Sequence, residues 1–293
     1  AAFHTSIRPY VFKELQSIAN MDSLWAKEMI RVPEGWHGAW LDRLFNSSLV
    51  AVNTDDFTLD ANLLFDFGFG RETTGSQPTW VNTRGFLIEG TIGEKIGFSS
   101  RFYENQGRFP GWINDFANKY GVLPGQGATR VFKQDGYDYN RVEGYLSYSP
   151  SAHFHFQLGH GKHFIGDGYR SLLLSDNVFP YPYLKGTVSI WRLKYMMLYT
   201  EMQNRRPLLG EWPQEWHDFY GGRLMGNPRK HMTLHYLSVN IGERLSLGVF
   251  EGVIWARETP DGYRGFDLNY INPLVFLRPV EFSVGSPDKV IVG

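Results

Sequence analysis

Apolar and polar residues alternate with a period of two along most of the chain. In Leu59 to Gly70 the odd positions are Leu59, Ala61, Leu63, Phe65, Phe67 and Phe69, and the even ones Asp60, Asn62, Leu64, Asp66, Gly68 and Gly70. This predicts a two-faced strand, about as long as the roughly ten residues of a membrane-crossing strand. The pattern recurs in Lys95 to Asn105, Asn140 to Tyr148, Trp191 to Tyr199, Met232 to Ile241 and Arg244 to Trp255. In the last of these Glu251 falls among Leu245, Leu247, Val249, Val253 and Trp255, and a β-bulge near Phe250 is the expected remedy.

The connections alternate too. Gly93-Glu94, Ser149 to Ser151, Arg192 to Lys194 and Gly242-Glu243 read as short turns, the third dividing Lys185 to Gln203 into two strands. Between them lie long connections at Arg71 to Thr79, Gly107 to Tyr139, Gly166 to Leu184 and Asn204 to Lys230, with another from Glu258 onward. Short turns at one end and long loops at the other are the asymmetry of outer-membrane barrels. A soluble sandwich also alternates, but its strands run nearer five or six residues. The expected fold is therefore all-β: an antiparallel transmembrane β-barrel over residues 51–293, with long extracellular loops. Phe65, Phe67, Phe98, Phe102 and Leu198 are expected on its outward belt. Residues 1–50 read as a periplasmic helical element, with helices over Ser23 to Ile30, capped by Asp22, and His37 to Phe45. The short turns are expected on the same periplasmic side, opposite Trp112 and Trp216.

Composition sharpens this picture. Aromatics make up 16% of the chain and glycines number 32, which favours β structure, while a net charge of −1 offers no basic field for nucleic acid. Cysteine is absent, so thiolate metal sites and disulfides are excluded. No run of about eighteen apolar residues encodes a membrane helix. The chain does not start with Met, and the expectation is that it begins after a processed leader.

Leu158 to Lys185 organises the chain. It begins as a strand, Phe154, Phe156 and Leu158 alternating with His153, His155 and Gln157, then dissolves into Gly159, Gly161, Gly166 and Gly168. Leu172, Leu173 and Leu174 follow, and three exposed leucines would forfeit roughly 1.5 to 3 kcal/mol each relative to burial. They are expected to be buried as a plug loop folded into the lumen. Asp176 and Asn177 would satisfy its backbone, and Tyr169 and Arg170 would stand at the mouth. Exposure of the leucines would favour an open channel.

Several residue groups suggest chemistry. His153, His155, His160 and His163 resemble a metal cluster, but lumen-facing histidines need no metal, and none is expected. Gly159-His160-Gly161-Lys162 lacks the spacing and the Ser or Thr of a phosphate loop. The acidic residues Asp167, Asp176, Glu211, Glu215 and Asp218 show no separation that defines a glycosidase pair, and no nucleophile elbow is present. No catalytic residue and no cofactor are therefore assigned. What repeats is aromatic beside basic in the long loops: Trp112 in one, and Arg205, Arg206, Trp212, Trp216 and Arg223 in another. Flat rings stack on sugars and guanidinium forks hold carboxylates, so these six residues, with Tyr169 and Arg170, are the candidate glycan contacts. A membrane-interface girdle explains the aromatics equally well.

The run Gly166-Asp167-Gly168-Tyr169-Arg170-Ser171-Leu172-Leu173-Leu174-Ser175-Asp176-Asn177, followed by Phe179-Pro180-Tyr181-Pro182-Tyr183-Leu184-Lys185, resembles the signature of the Wzi capsule-assembly family in its Bacteroidetes versions. Phe3 to Tyr10, Asn269 to Pro273 and Arg278 to Glu281 carry the resemblance toward both ends. It implies a non-enzymatic barrel of the bacterial outer membrane that holds capsular or other surface polysaccharide. Its partners would be that glycan, outer-membrane lipids and outer-membrane proteins. The alternatives are a diffusion channel, or an accessory subunit of surface secretion or gliding motility. Fewer strands are countable than the family's barrel needs to close, so the chain is expected to be the N-terminal portion of a longer protein.

Overall fold

A computed structural model describes residues 3–10, 15, 20, 23–24, 29, 31, 34–73, 77–203, 229–242, 244–259, 262–272 and 289–293. The chain is mostly β, with large antiparallel sheet structure and few helices. It divides into two units, Phe3–Ser147 with Gly161–Pro180, and Tyr148–His160 with Tyr181–Gly293.

The first unit opens with β1 (Ile7–Arg8), α1 (Trp36–Phe45) and β2 (Val50–Asn53). The expected helix over His37 to Phe45 is thus present, whereas the one over Ser23 to Ile30 lies largely outside the described residues. A meander follows: β3 (Phe57–Arg71), β4 (Pro78–Ile92) and β5 (Ile96–Arg108), in continuous antiparallel register from Phe57↔Ile92 to Arg71↔Pro78 and from Ile92↔Ile96 to Trp80↔Arg108. The turn at Gly93 has φ 56°, which glycine adopts without a Cβ clash. After β5 come α2 (Gly111–Tyr120), the small hairpin β6 (Val122–Leu123) and β7 (Gly127–Ala128), then β8 (Arg130–Phe132) paired to β9 (Gly136–Tyr148). No side chain of its own caps α2, but the Glu72 carboxylate accepts from Gly111 N at 3.1 Å, placing a negative charge at the positive end of the helix. Ala117, Leu123, Tyr137 and Tyr139, with Phe109 and Ile113, form the small core beneath it. Trp112 therefore follows the end of β5 opposite the Gly93 turn, as the loop asymmetry predicts for this unit.

The second unit begins at β10 (Phe154–Gly161). Beyond β11 (Phe164–Ile165), which belongs to the first unit, come β12 (Tyr181–Ile190), β13 (Leu193–Gln203), β14 (Arg229–Asn240) and β15 (Ser246–Ala256). The tight turn at Trp191-Arg192 divides β12 from β13, one residue earlier than expected. The hairpin β16 (Glu258–Thr259) and β17 (Gly262–Tyr263), a 3-10 turn over Leu268–Ile271 and β18 (Lys289–Val292) complete it. β18 pairs with β15.

In each unit the two sheet faces are buried in an unusual sense. On β3 the apolar side chains Leu63, Phe65, Phe67 and Phe69 are exposed, Phe67 by 59%. Phe98 and Phe102 share that face, half-buried by ring contacts with Phe57 and Phe86. An Arg84–Glu104 ion pair at 3.9 Å lies among them. The opposite face is polar and more covered: Thr83 donates to Asn105 at 2.8 Å, Asn105 to the Tyr139 carbonyl at 3.3 Å, and the Arg141 guanidinium lies 4.4 Å over the Tyr103 ring. The second unit repeats the arrangement. Phe154, Phe156, Leu158, Leu193, Leu245 and Leu247 are exposed, while Lys185 and Lys194, each only 2% exposed, are buried with His155, Thr187, Ser189, Thr200 and Ser238.

Two expectations are corrected here. Leu198 is not on the exposed face; it is fully buried, because in β13 it shares parity with Lys194, Met196 and Thr200 and pairs with Lys185 and Leu234. No bulge relieves Glu251 either. The β14–β15 register runs unbroken from Lys230↔Ala256 to Asn240↔Ser246, so Glu251 stays on the face of Leu247 and Val249, opposite His235. That stretch of the face is covered from outside: Tyr270 is fully buried, its ring 4.8 Å from Trp255, and its carbonyl lies 2.9 Å from His235 Nε2. Among the described residues no strand closes the sheet structure into a barrel.

Leu198→Ala is expected to lower the unfolding free energy by about 2–5 kcal/mol, the cost of a core cavity, read from loss of strand circular dichroism in urea.

Candidate functional site

Two segments more than 150 residues apart in sequence build a cleft in the first unit. β1 pairs with β11, Ile7 with Ile165 and Arg8 with Phe164. His4, Ser6, Ile7, His163, Phe164 and Ile165 are buried around this short ladder, which Gly166 N extends by donating to the Ser6 carbonyl at 2.8 Å. The chain then turns back on itself. Ser171 Oγ donates to the Ile165 carbonyl and accepts from Leu173 N at 3.0 Å and Leu174 N at 3.1 Å, while Ile165 N donates to the Leu174 carbonyl at 2.9 Å. One serine hydroxyl thus ties a tight knot, the local side-chain-to-backbone bonding that serine favours in turns.

That knot decides the fate of the three leucines. Leu174 is drawn in beside Ile165 and Leu173 is half-buried, but Leu172 at the tip is 100% exposed. The expected burial of all three does not hold, because the turn's hydrogen bonds, rather than side-chain hydrophobicity, set the direction of Leu172.

The knot carries one wall of a cleft of ≈ 590 Å³, lined by Arg8, Pro9, Lys162, Phe164, Asp167, Gly168, Tyr169 and Asp176. Its volume falls within the roughly 300–1,000 Å³ of small-molecule sites. The Arg8 guanidinium lies 5.0 Å over the Phe164 ring and its Nε donates to the Tyr10 hydroxyl at 3.2 Å. Thr5 donates to Asp167 at 2.5 Å. Lys162 Nζ donates to the Gly125 carbonyl at 2.5 Å, and burial, then the Arg141 charge, push its pKa below the ordinary lysine value, with Glu143 and Asp176 opposing. Among the described residues no ion pair joins these two cations to the two carboxylates.

The hairpin β6–β7 braces the far side. Gly127, at φ 129°, lies against the Phe179 ring so closely that an added Cβ would come within 1.9 Å of it. Gly125, at φ 69°, meets Asn177 in the same way.

Of the residues expected to contact a ligand, Tyr169 lines the cleft and is 94% exposed; Asp176, expected to satisfy the backbone of the plug loop, lines it too. Arg170 is exposed but does not line it, Asn177 buttresses Gly125, and Trp112 stands exposed on α2, also outside the lining. Arg205, Arg206, Trp212, Trp216 and Arg223 lie outside the described residues. Arg8, Lys162, Phe164 and Asp167 are the residues that loop composition did not single out as a site. Arg8 and Asp167 do stand inside the two motif segments, and a search for charged residues within those motifs would have found them. The histidines take structural roles: His155 Nδ1 lies 2.8 Å from Ser149 Oγ and His153 Nδ1 2.9 Å from the Ser189 carbonyl. Among the described residues no three His, Asp or Glu side chains converge to hold a metal.

Ser171→Ala removes all three bonds of the knot and is expected to speed amide hydrogen exchange at Leu173 and Leu174, with a loss of about 1–3 kcal/mol in local opening free energy. Because the folded chain holds the Lys162 proton less tightly than the unfolded chain, the unfolded state binds more protons in the alkaline range. Lys162 therefore lowers stability below its folded pKa, and this handicap disappears as pH rises through that value toward the ordinary 10.5. Lys162→Met is expected to flatten that part of a urea-midpoint profile. No protein-family model matches the sequence, and no curated protein matches it.

Proposed function

We propose that this chain forms part of an outer-membrane β-barrel that binds surface polysaccharide without catalysis, as the Wzi-like motifs imply. The observation that carries the membrane reading is the inverted burial. In a soluble sheet the apolar face is covered and the polar face is wet. Here Phe65, Phe67, Leu158 and Leu247 are exposed while Lys185, Lys194, Thr200 and Ser238 are buried, which is the arrangement of a barrel with lipid outside and a polar interior. Exposed rings at this density in water would each forgo roughly 1.5–3 kcal/mol of burial.

The cleft supports glycan binding. Two cations and two carboxylates that do not pair with one another, beside a freely exposed tyrosine ring, match a polyhydroxylated ligand that both donates and accepts hydrogen bonds and offers a C–H face for stacking. A second reading, a diffusion channel, is favoured by the exposure of Leu172, which removes the three-leucine plug, and by the charged inner side of β9, where Arg141 and Glu143 lie 3.6 Å apart.

The chain has no native cysteine, so single-cysteine spin labels report cleanly. In lipid vesicles, labels at Phe65→Cys and Leu247→Cys are expected to be relaxed by oxygen and shielded from a water-soluble nickel chelate, and one at Asp167→Cys the reverse. Water accessibility at both wall positions would sink the membrane reading. Planar-bilayer recordings separate the two functions: a steady open conductance unchanged by added glycan supports the channel, whereas saturable glycan binding by the purified protein supports the lectin.

A further inference from the structure

We propose that the cleft selects a carboxylated sugar, a uronic-acid unit whose carboxylate sits on Arg8 and whose ring lies on Tyr169; this deepens, and rests on, the glycan-binding reading above.

Arg8 is held from three directions. Its backbone pairs with Phe164, its guanidinium lies 5.0 Å over the Phe164 ring, and its Nε donates to Tyr10. The clamp is itself braced, since the Tyr10 hydroxyl donates to the Thr5 carbonyl at 3.1 Å and the Tyr10 ring packs 5.0 Å from Phe3. With Nε and the flat face engaged, the terminal Nη groups remain for the two-bond fork that matches a carboxylate. Little side-chain entropy is left to lose on binding.

The other groups divide the rest of the sugar. One oxygen of Asp167 accepts from Thr5, which orients the carboxylate and leaves its second oxygen for a sugar hydroxyl; Asp176 offers another acceptor. Lys162 is already engaged by the Gly125 carbonyl, so Arg8, with its terminal nitrogens left for a ligand, is the cation assigned to the carboxylate. Tyr169 presents an open ring face to the C–H side of a pyranose. A neutral sugar would leave the Arg8 fork without a counter-charge. A small inorganic anion would leave Tyr169, Asp167 and Asp176 without a role.

The test is calorimetric titration of the full chain in detergent micelles with trigalacturonate and with maltotriose, a neutral trisaccharide. Trigalacturonate is expected to bind more tightly. Arg8→Gln should weaken it by about tenfold or more, the loss of a charge-assisted pair, and weaken maltotriose by much less, so that the preference for trigalacturonate is lost. Arg8→Lys, which keeps the charge but not the fork, should also weaken it, and Tyr169→Ala should weaken both sugars. Circular dichroism and Ser171-loop amide exchange confirm that each variant is folded. Equal affinity for the two sugars, or an Arg8→Gln variant that binds trigalacturonate as the parent does, overturns the uronate assignment and leaves glycan binding standing. A folded parent chain that binds neither sugar overturns both.

Discussion

In an antiparallel ladder the backbone groups of interior strands are satisfied by their neighbours, so the side chains alone decide which face can be taken out of water. Here the covered face is the one with Lys185, Lys194, Thr200 and Ser238, and the rest of the structure follows from that choice. Burying charged and hydroxyl groups is costly without partners; in the first unit Thr83–Asn105–Tyr139 and Arg141–Tyr103 provide them, whereas in the second the buried Thr200 hydroxyl makes no hydrogen bond among the described residues. The apolar face, with Phe65, Phe67, Leu158 and Leu247, is left exposed.

The exposed face is not uniformly apolar, and the exception is instructive. On β14 and β15 it carries His231, Thr233, His235 and Glu251, and there the chain's own segment from Gly262 to Asn272 lies across it. Tyr195 and Tyr199 hydroxyls meet His235 and His231 at 2.5 and 2.8 Å, and the Trp255 indole N–H donates to the Gly265 carbonyl at 3.2 Å. Polar side chains on the wrong face are thus made tolerable by a local cover, without any shift of strand register.

The cleft depends on the same economy of backbone bonds. A two-residue ladder joins Ile7-Arg8 to Phe164-Ile165, and one serine hydroxyl closes the loop behind it. The charged side chains at the cleft take other partners, Arg8 the Tyr10 hydroxyl, Lys162 the Gly125 carbonyl and Asp167 the Thr5 hydroxyl, and make no ion pair with one another among the described residues.

Strands, short turns and the separation of faces were legible in the sequence because side-chain direction along a strand repeats every two residues and needs only local information. Phe65 and Phe67, or Phe154 and Phe156, could be assigned to one face by parity alone. Parity failed at Leu198, where Lys194, Met196 and Thr200 share its face, because apolar and polar residues mix on that face and only the pairing with Lys185 and Leu234 shows which side is covered. At Glu251 parity held and it was the expected bulge that did not form, because the cover comes from residues beyond the strand. Arg8, Lys162 and Asp167 carried no periodic signal at all. They became a site only when a strand near residue 8 paired with one near residue 165, a contact whose long loop closure leaves no trace in local sequence pattern. Local periodicity therefore determined the strands, and non-local pairing decided the cleft.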